Sequence, residues 1–304
     1  MPILVLGLVG SARPWGNSEL LVRHALLAAQ AHGAHVRLVR STSLRIQPCT
    51  GCMRCVIGGH PCPLDDDMEW LIGTVEAAGA LVLSAPTYWL GPAAQVKLVL
   101  DRLLMVTGRV NRPLPPERPA LTVATAGLQA WRGVALPFLN ALVAGFGYRP
   151  IESLVAIGPG PGEVLMDVGL MARVWEAGRR LTQPAAEPEA ALAGMQGCPF
   201  CGCEAVLLEA NRAVCPICGC EAAVEIRDGS FHLRFASPAA HPRWSPEGLR
   251  AHMVEWVQAT GPSYLSLRDS ISERRRPYRQ TQIPWLNPPQ PGAPKDHEAP
   301  WQGG

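Results

Sequence analysis

Ten cysteines fall in two tight groups, a spacing that suits metal binding better than the scattered pairs of a disulfide framework. Cys49, Cys52, Cys55 and Cys62 read Cys-x2-Cys-x2-Cys-x6-Cys. Three close thiolates and a fourth a few residues on let one loop wrap a cubane, because each iron takes a sulfur from a different direction. A 4Fe-4S cluster is the expected occupant. Zinc or free thiols are the alternative, with Gly58, Gly59 and Pro61 making a simple turn.

The second group repeats Cys-Pro-x-Cys-Gly-Cys, at 198–203 and again at 215–220. Proline and glycine bend each knuckle so that two thiolates face one metal, and Cys198, Cys201, Cys215 and Cys218 then close a tetrahedron. The pattern resembles a zinc ribbon, with hairpins expected over 204–214 and around Ala223 and Phe231. Zinc suits a small module with too little core to fold without it. Rubredoxin-type iron uses similar knuckles, and Cys203 and Cys220 are further sulfurs at hand.

A third constellation lies at the start of the chain. Gly10-Ser11-Ala12-Arg13-Pro14-Trp15-Gly16-Asn17-Ser18 follows an apolar strand at 3–6 and precedes helical periodicity at 19–27. Amides at a helix N-terminus, the hydroxyls of Ser11 and Ser18 and the charge of Arg13 can all aim at one dianion. The loop lacks the Gly-x-Gly-x-x-Gly and Gly-Lys-Ser/Thr fingerprints, and a terminal monophosphate, as on FMN, fits it better. The plainer reading is a polar turn capped by Asn17 or Ser18.

These residues need a scaffold, and the rest of the pattern supplies one. Apolar strands are expected at 3–6, 35–40, 80–84, 120–124 and 151–157, alternating with helices at 19–27, 65–78, 93–105, 134–146 and 163–181. Near-continuous apolar strands between amphipathic helices imply an α/β, doubly wound parallel sheet, flavodoxin-like in the order 2-1-3-4-5. The loops at Ser11, Pro86 and Thr125 would then meet at the switch point.

The expected organisation is a flavin domain at 1–182, a linker at 183–197, the ribbon at 198–235, and a helical segment with a proline-rich tail at 236–304, extended from Pro277 onward. Trp285 and Trp301 suggest that this tail lies across a protein surface. The 304 residues are 48% hydrophobic, and a net charge of +2 favours neither a nucleic-acid footprint nor a polyanionic substrate. No stretch has the length of a membrane span or the look of a signal peptide, so a cytoplasmic location is expected.

Gly10-Ser11-Ala12-Arg13 with Gly16-Asn17-Ser18, the Cys49 to Cys62 group, Asp66-Asp67-Met68, and Pro86-Thr87-Tyr88-Trp89 with Lys97 and Asp101-Arg102 resemble the NADPH-dependent FMN reductase superfamily, within it most the iron-sulfur flavoproteins. The resemblance implies that Ser11, Arg13, Asn17 and Ser18 hold the FMN phosphate. Pro86, Thr87, Tyr88 and Trp89 would line the isoalloxazine, and Thr125, Ala126 and Gly127 would form the third edge. It also implies a homodimer or homotetramer.

The expected function is electron transfer from NAD(P)H or a ferredoxin-like donor to a protein or small-molecule acceptor, with no nucleic acid or membrane involved. Flavin chemistry requires no side-chain nucleophile, and His24 and His60 are expected at the surface or behind the site. The rival readings are a simple NAD(P)H:FMN or quinone reductase without a cluster, and a non-enzymatic redox sensor or docking protein using ribbon and tail.

Overall fold

Five of the six residues of β1 (Leu4–Val9) are buried, as happens when helices cover both faces of a sheet. The computed structural model describes residues 2–56, 59–107, 118–183, 197–210, 212–235, 243 and 246–280. In it β1 lies between β2 (His35–Arg40) and β3 (Ala80–Tyr88), parallel to both. The short β4 (Gly91–Pro92) folds back antiparallel on β3, and β5 (Arg118–Ala126) and β6 (Tyr148–Ile157) continue the parallel sheet. The order β2-β1-β3-β5-β6 is the flavodoxin-like one, 2-1-3-4-5 when the parallel strands alone are counted.

Helices α1 (Asn17–Ala31), α2 (Met68–Ala77), α3 (Ala94–Asp101), α4 (Leu104–Thr107), α5 (Ala135–Gly145) and α6 (Val168–Arg180) cover the two faces. Leu21, Val22 and Leu26 of α1 share one core with Val174 and Ala177 of α6. Met68 and Leu71, Val96 and Val99, and Leu139 and Leu142 share the other.

Several elements depart from the expected spans. The helix expected at 93–105 breaks after Asp101, where the N–H groups of Arg102 and Leu103 bond three residues back to Val99 and Leu100 and the tightened turn carries Arg102 inward. The helix expected from residue 65 begins at Met68, because Asp66 and Asp67 accept from the backbone N–H groups of Gln47 and Arg45 at 2.9 and 2.7 Å. The last helix of the sheet domain is preceded by a separate 3-10 turn, Glu163–Met166, since Asp167 caps α6 by accepting from Leu170 N–H at 2.9 Å. β6 starts at Tyr148 and pairs across a register shift, and Pro150 is tolerated because β6 is an edge strand.

The second sheet is antiparallel, in the order β10-β9-β8-β7, from β7 (Leu207–Glu209), β8 (Arg212–Val214), β9 (Glu221–Arg227) and β10 (Ser230–Phe235). Helix α7 (Pro246–Ala251) runs on into a π-helical turn, His252–Gln258. Its Met253 and Val257 pack on Val56, with Met53, Cys55 and Leu104 around them, so this segment covers part of the first cysteine loop.

Backbone packing divides the chain into Met1–Ala259 and Thr260–Gly304. In the second unit α8 (Thr260–Gln280) is helical through Pro277, where an extended tail was expected; one interior proline removes a single hydrogen bond. Residues 184–196 of the expected linker and the tail from residue 281, with Trp285 and Trp301, lie outside the described residues. Among the described residues no helix is long and apolar enough to cross a membrane.

Candidate functional site

The loop after β1 is held by groups that the sequence reading did not single out. Glu19, buried in the first turn of α1, accepts from Trp15 N–H at 2.7 Å, from Arg23 at 2.8 Å and from Arg40. Arg40, at the end of β2, also donates to the Ser11 carbonyl at 2.6 Å. Ser11 Oγ accepts from Arg13 N–H at 3.2 Å. The N-cap of α1 is Gly16, which offers no side-chain acceptor, so neither Asn17 nor Ser18 caps the helix. First-turn amides therefore remain available to an anion.

Asn17 turns the other way. Its Nδ2 donates to the carbonyls of Gly158 and Gly160 at 2.8 and 3.0 Å, and its Oδ1 accepts from Gly162 N–H at 2.7 Å. The side chain ties the loop after β6 to α1, leaving its backbone in the first turn. Ser18 Oγ and Thr125 Oγ1 lie 3.0 Å apart in a buried pair, and Gly10 N–H donates to the Ser84 carbonyl at 2.8 Å. The C-terminal ends of β1, β3 and β5 and the first turn of α1 come together here.

Burial works to raise the pKa of Glu19, but the hydrogen bonds from Arg40, Arg23 and Trp15 N–H outweigh it and hold the carboxyl at about 2. A depressed acid adds stability that is complete above its ordinary 4.5 and is lost as the pH falls through about 2. Glu19→Gln is expected to cost about 1.5–3 kcal/mol at pH 7, the worth of charged hydrogen bonds. Thermal denaturation of both proteins from pH 7 to 2 checks this: the gap in Tm must begin to narrow below about pH 4.5 and close towards pH 2.

Between β3 and β4 the chain makes a two-residue turn with Trp89 at φ +48° and Leu90 at φ +65°. Such turns favour Asn-Gly, and bulky side chains there are strained. The turn is held by Val134 N–H to the Leu90 carbonyl at 2.7 Å, and by Ala93 N–H to the Pro86 carbonyl at 3.0 Å. It presents Tyr88, 60% exposed, and Trp89, 96% exposed. Thr87 is part-buried, with its Oγ1 3.5 Å from the Arg132 carbonyl. Ala126 is buried and its carbonyl accepts from Gly158 N–H at 2.9 Å, while Gly127 beside it is exposed. Trp15, Trp131 and Met166, from the loops after β1, β5 and β6, add further exposed apolar surface at this edge of the sheet.

Cys49, Cys52, Cys55 and Cys62 line one pocket, whose remaining wall includes Met53, Leu64, Arg102, Leu104 and Met105. Cys49 and Cys52 are exposed; Cys55 and Cys62 are half-buried. Burial, and after it the nearby Cys62, pushes the Cys55 thiol up, whereas the Arg54 backbone N–H lowers Cys52. Four cysteines lining one pocket are a donor set of the type that an iron-sulfur group takes.

In the second group the sulfurs of Cys198, Cys201, Cys215 and Cys218 lie within 4.8 Å of one another, all buried. With Zn–S near 2.3 Å, such a set fits a single tetrahedral ion. The knuckles match bond for bond. Cys198 N–H donates to the Cys203 carbonyl and Gly202 N–H to that of Cys198; Cys215 to Cys220 and Gly219 to Cys215 repeat this, all at 2.8 Å. Gly202 and Gly219 sit at φ +70° and +77°, where only glycine is at ease. Cys203 and Cys220 are buried beside them, and burial pushes the Cys203 thiol up to about 11.

The ribbon is anchored on the flavodoxin-like sheet. Asn140 of α5 donates to the Cys201 carbonyl at 3.0 Å, and its Oδ1 accepts from Ser153 at 3.1 Å and from Thr122. Arg132 and Glu204 add an ion pair. His24 packs between α1 and α6, its Nε2 3.1 Å from the Met171 carbonyl and its ring against Trp175.

An iron-sulfur flavoprotein of Archaeoglobus fulgidus is 32% identical over 165 residues, 52% of this chain and 70% of that one. Another, of Methanocaldococcus jannaschii, is 37% identical over 98 residues, 32% of this chain and only half of the relative. A solved flavone reductase superposes with a TM-score of 0.70 over 94% of this chain and all of its own, at 20% identity, a likeness of fold. The model of the NADPH-dependent FMN reductase family matches residues 3–160, more than half of the chain. Because that match takes in the five parallel strands and the loops after β1, β3 and β5, the chain belongs to the NADPH-dependent FMN reductase family and is a flavin-dependent oxidoreductase.

Proposed function

We propose that this oxidoreductase passes electrons between a reduced donor, NAD(P)H or a ferredoxin-like protein, and an acceptor, using FMN together with a 4Fe-4S cluster on Cys49, Cys52, Cys55 and Cys62. The observation that carries the reading is the single pocket lined by all four of these cysteines, on the loop that follows β2, next to β1 in the sheet. FMN supplies electron-pair or single-electron transfer when bound and an iron-sulfur cluster supplies single-electron transfer, so together they connect two-electron and one-electron carriers.

The residues have separate tasks. Ser11, Arg13, Ser18 and the first-turn amides of α1 take the phosphate, and Asn17 keeps that turn in place through Gly158 to Gly162. Pro86 to Trp89 and Thr125 to Gly127 bound the flavin ring, with Tyr88 and Trp89 excluding water from it. Cys198, Cys201, Cys215 and Cys218 hold zinc with a structural role, since four buried thiolates leave no open position.

Anaerobic purification followed by an absorption spectrum and assays of flavin, iron, sulfide and zinc tests this. About four irons, four sulfides, one FMN and one zinc per chain are expected. Flavin and zinc without iron or sulfide would make the protein a simple NAD(P)H:FMN or quinone reductase. Failure to bind added flavin would overturn both.

A further inference from the structure

We infer that Arg102 sets the electron affinity of the first cysteine centre by hydrogen bonding to Cys62, an inference that rests on the iron-sulfur reading above. Arg102 is among the largest fully buried side chains of the protein. Burying a guanidinium is costly unless its donors are met, and this one divides them unusually. Nη1 donates to Asp66 Oδ2 at 2.6 Å and to the Gln47 carbonyl at 2.9 Å. Nη2 lies 3.3 Å from both Cys62 Sγ and Asp66 Oδ1, and 3.4 Å from Met105 Sδ. Nε is buried with no hydrogen-bond partner.

Here Asp66 and the Gln47 carbonyl fix the plane of the fork, and the fork brings a permanent cation to the one cysteine of the four that is remote from the others in sequence. Arginine keeps its proton throughout, so the group cannot act as an acid. It acts by charge and by its N–H.

Adding one electron to the centre makes its sulfurs more negative and strengthens a charge-assisted N–H···S bond. The reduced state gains more than the oxidised one, and the reduction potential rises. The electron arrives and departs alone, with no proton leaving Arg102. Arg102 is thus a positioning residue that determines how readily the centre accepts an electron from its partner carrier.

The test is an EPR-monitored redox titration of the full-length, anaerobically isolated protein. It compares wild type, Arg102→Lys, and the double variant Arg102→Gln with Asp66→Asn, which leaves no unpaired buried carboxylate. With iron and sulfide content unchanged, the double variant is expected to shift the reduction equilibrium at least about tenfold toward the oxidised state, about 59 mV lower for one electron. Arg102→Lys, which keeps a charge but loses the fork, is expected to fall between, and the flavin potential is expected to stay where it is. Loaded variants that titrate at the wild-type potential overturn the inference.

Should the variants not load, the native fork decides. An Arg54→Lys protein carrying guanidino-15N arginine is expected to show a 15N hyperfine coupling to the reduced centre, and its absence overturns the inference equally. A wild-type protein without iron or sulfide fails at an earlier and distinguishable point, because it overturns the iron-sulfur reading itself.

Discussion

On the proposed zinc site, replacing Cys198 and Cys218 by serine is expected to prevent metal binding and to unfold the ribbon while the parallel sheet stays folded. The buried cluster of this module consists of its six cysteines, with Phe200, Ile217 and Phe235 only partly buried against them. All of β7 is exposed, and β9 buries one residue, Ala222. Strands this short, with so little apolar surface to hide, do not offset their own ordering entropy. A structural zinc contributes about 10–16 kcal/mol of apparent binding energy, several times the 2–5 kcal/mol of removing a large side chain from a core. The metal term decides.

Zinc analysis with limited proteolysis checks this: cleavage within 197–235 should become rapid. The loss should also reach the sheet domain, because undocking leaves Asn140 Nδ2 without the Cys201 carbonyl. Asn140 is buried with the ribbon in place, and exchanging that bond for one to water costs about 0.5–1.5 kcal/mol. A ribbon that stays protected after losing its zinc would mean that the hairpins carry their own stability.

The features legible in the sequence were those with a local cause. Strand order followed from five apolar runs separated by helical periodicity. The knuckles followed from a repeated Cys-Pro-x-Cys-Gly-Cys, whose two copies make identical hydrogen bonds. Where the cause was a distant partner, the reading stopped short. Arg102 ends α3 early because its fork has Asp66, Gln47 and Cys62 to bond, and helical spacing at 93–105 carries no trace of them. Asn17 is drawn to Gly158 and Gly160, far along the chain. The contact of Met253 and Val257 with the first cysteine loop joins parts of the chain that no periodicity connects.

At the loop after β1, sequence position was readable and side-chain orientation was not. Glu19 lies within the helical periodicity at 19–27, but that it is held by Arg40 from the next strand depends on how β1 and β2 pair. The Trp89-Leu90 turn ran against the signal altogether, since its residues are the opposite of what a tight hairpin prefers. Such a turn persists only when its surroundings hold it.

That support can be removed at one atom, and Gly133→Ala will do so. Gly133 has φ +52°, and a Cβ added there would lie 2.2 Å from the Leu90 carbonyl oxygen and 2.5 Å from Leu90 Cα. Neither contact relaxes by a side-chain rotation, because both are to backbone. The backbone in question is pinned by Val134 N–H and already carries two residues in the left-handed region, each at a cost of about 1–2 kcal/mol. The turn must shift, and Tyr88 and Trp89 shift with it. Stability should fall by more than about 1 kcal/mol, and affinity for added FMN by at least about tenfold, or 1.4 kcal/mol, measured by quenching of flavin fluorescence. Gly73→Ala provides the contrast: it lies within α2 and an added Cβ meets nothing within 4 Å, so the same change should stabilise by about 0.5–1 kcal/mol. If Gly133→Ala binds FMN as tightly as wild type, the turn after β3 does not bound the flavin; if only Gly133→Ala loses FMN, the strain in that turn is what shapes the pocket.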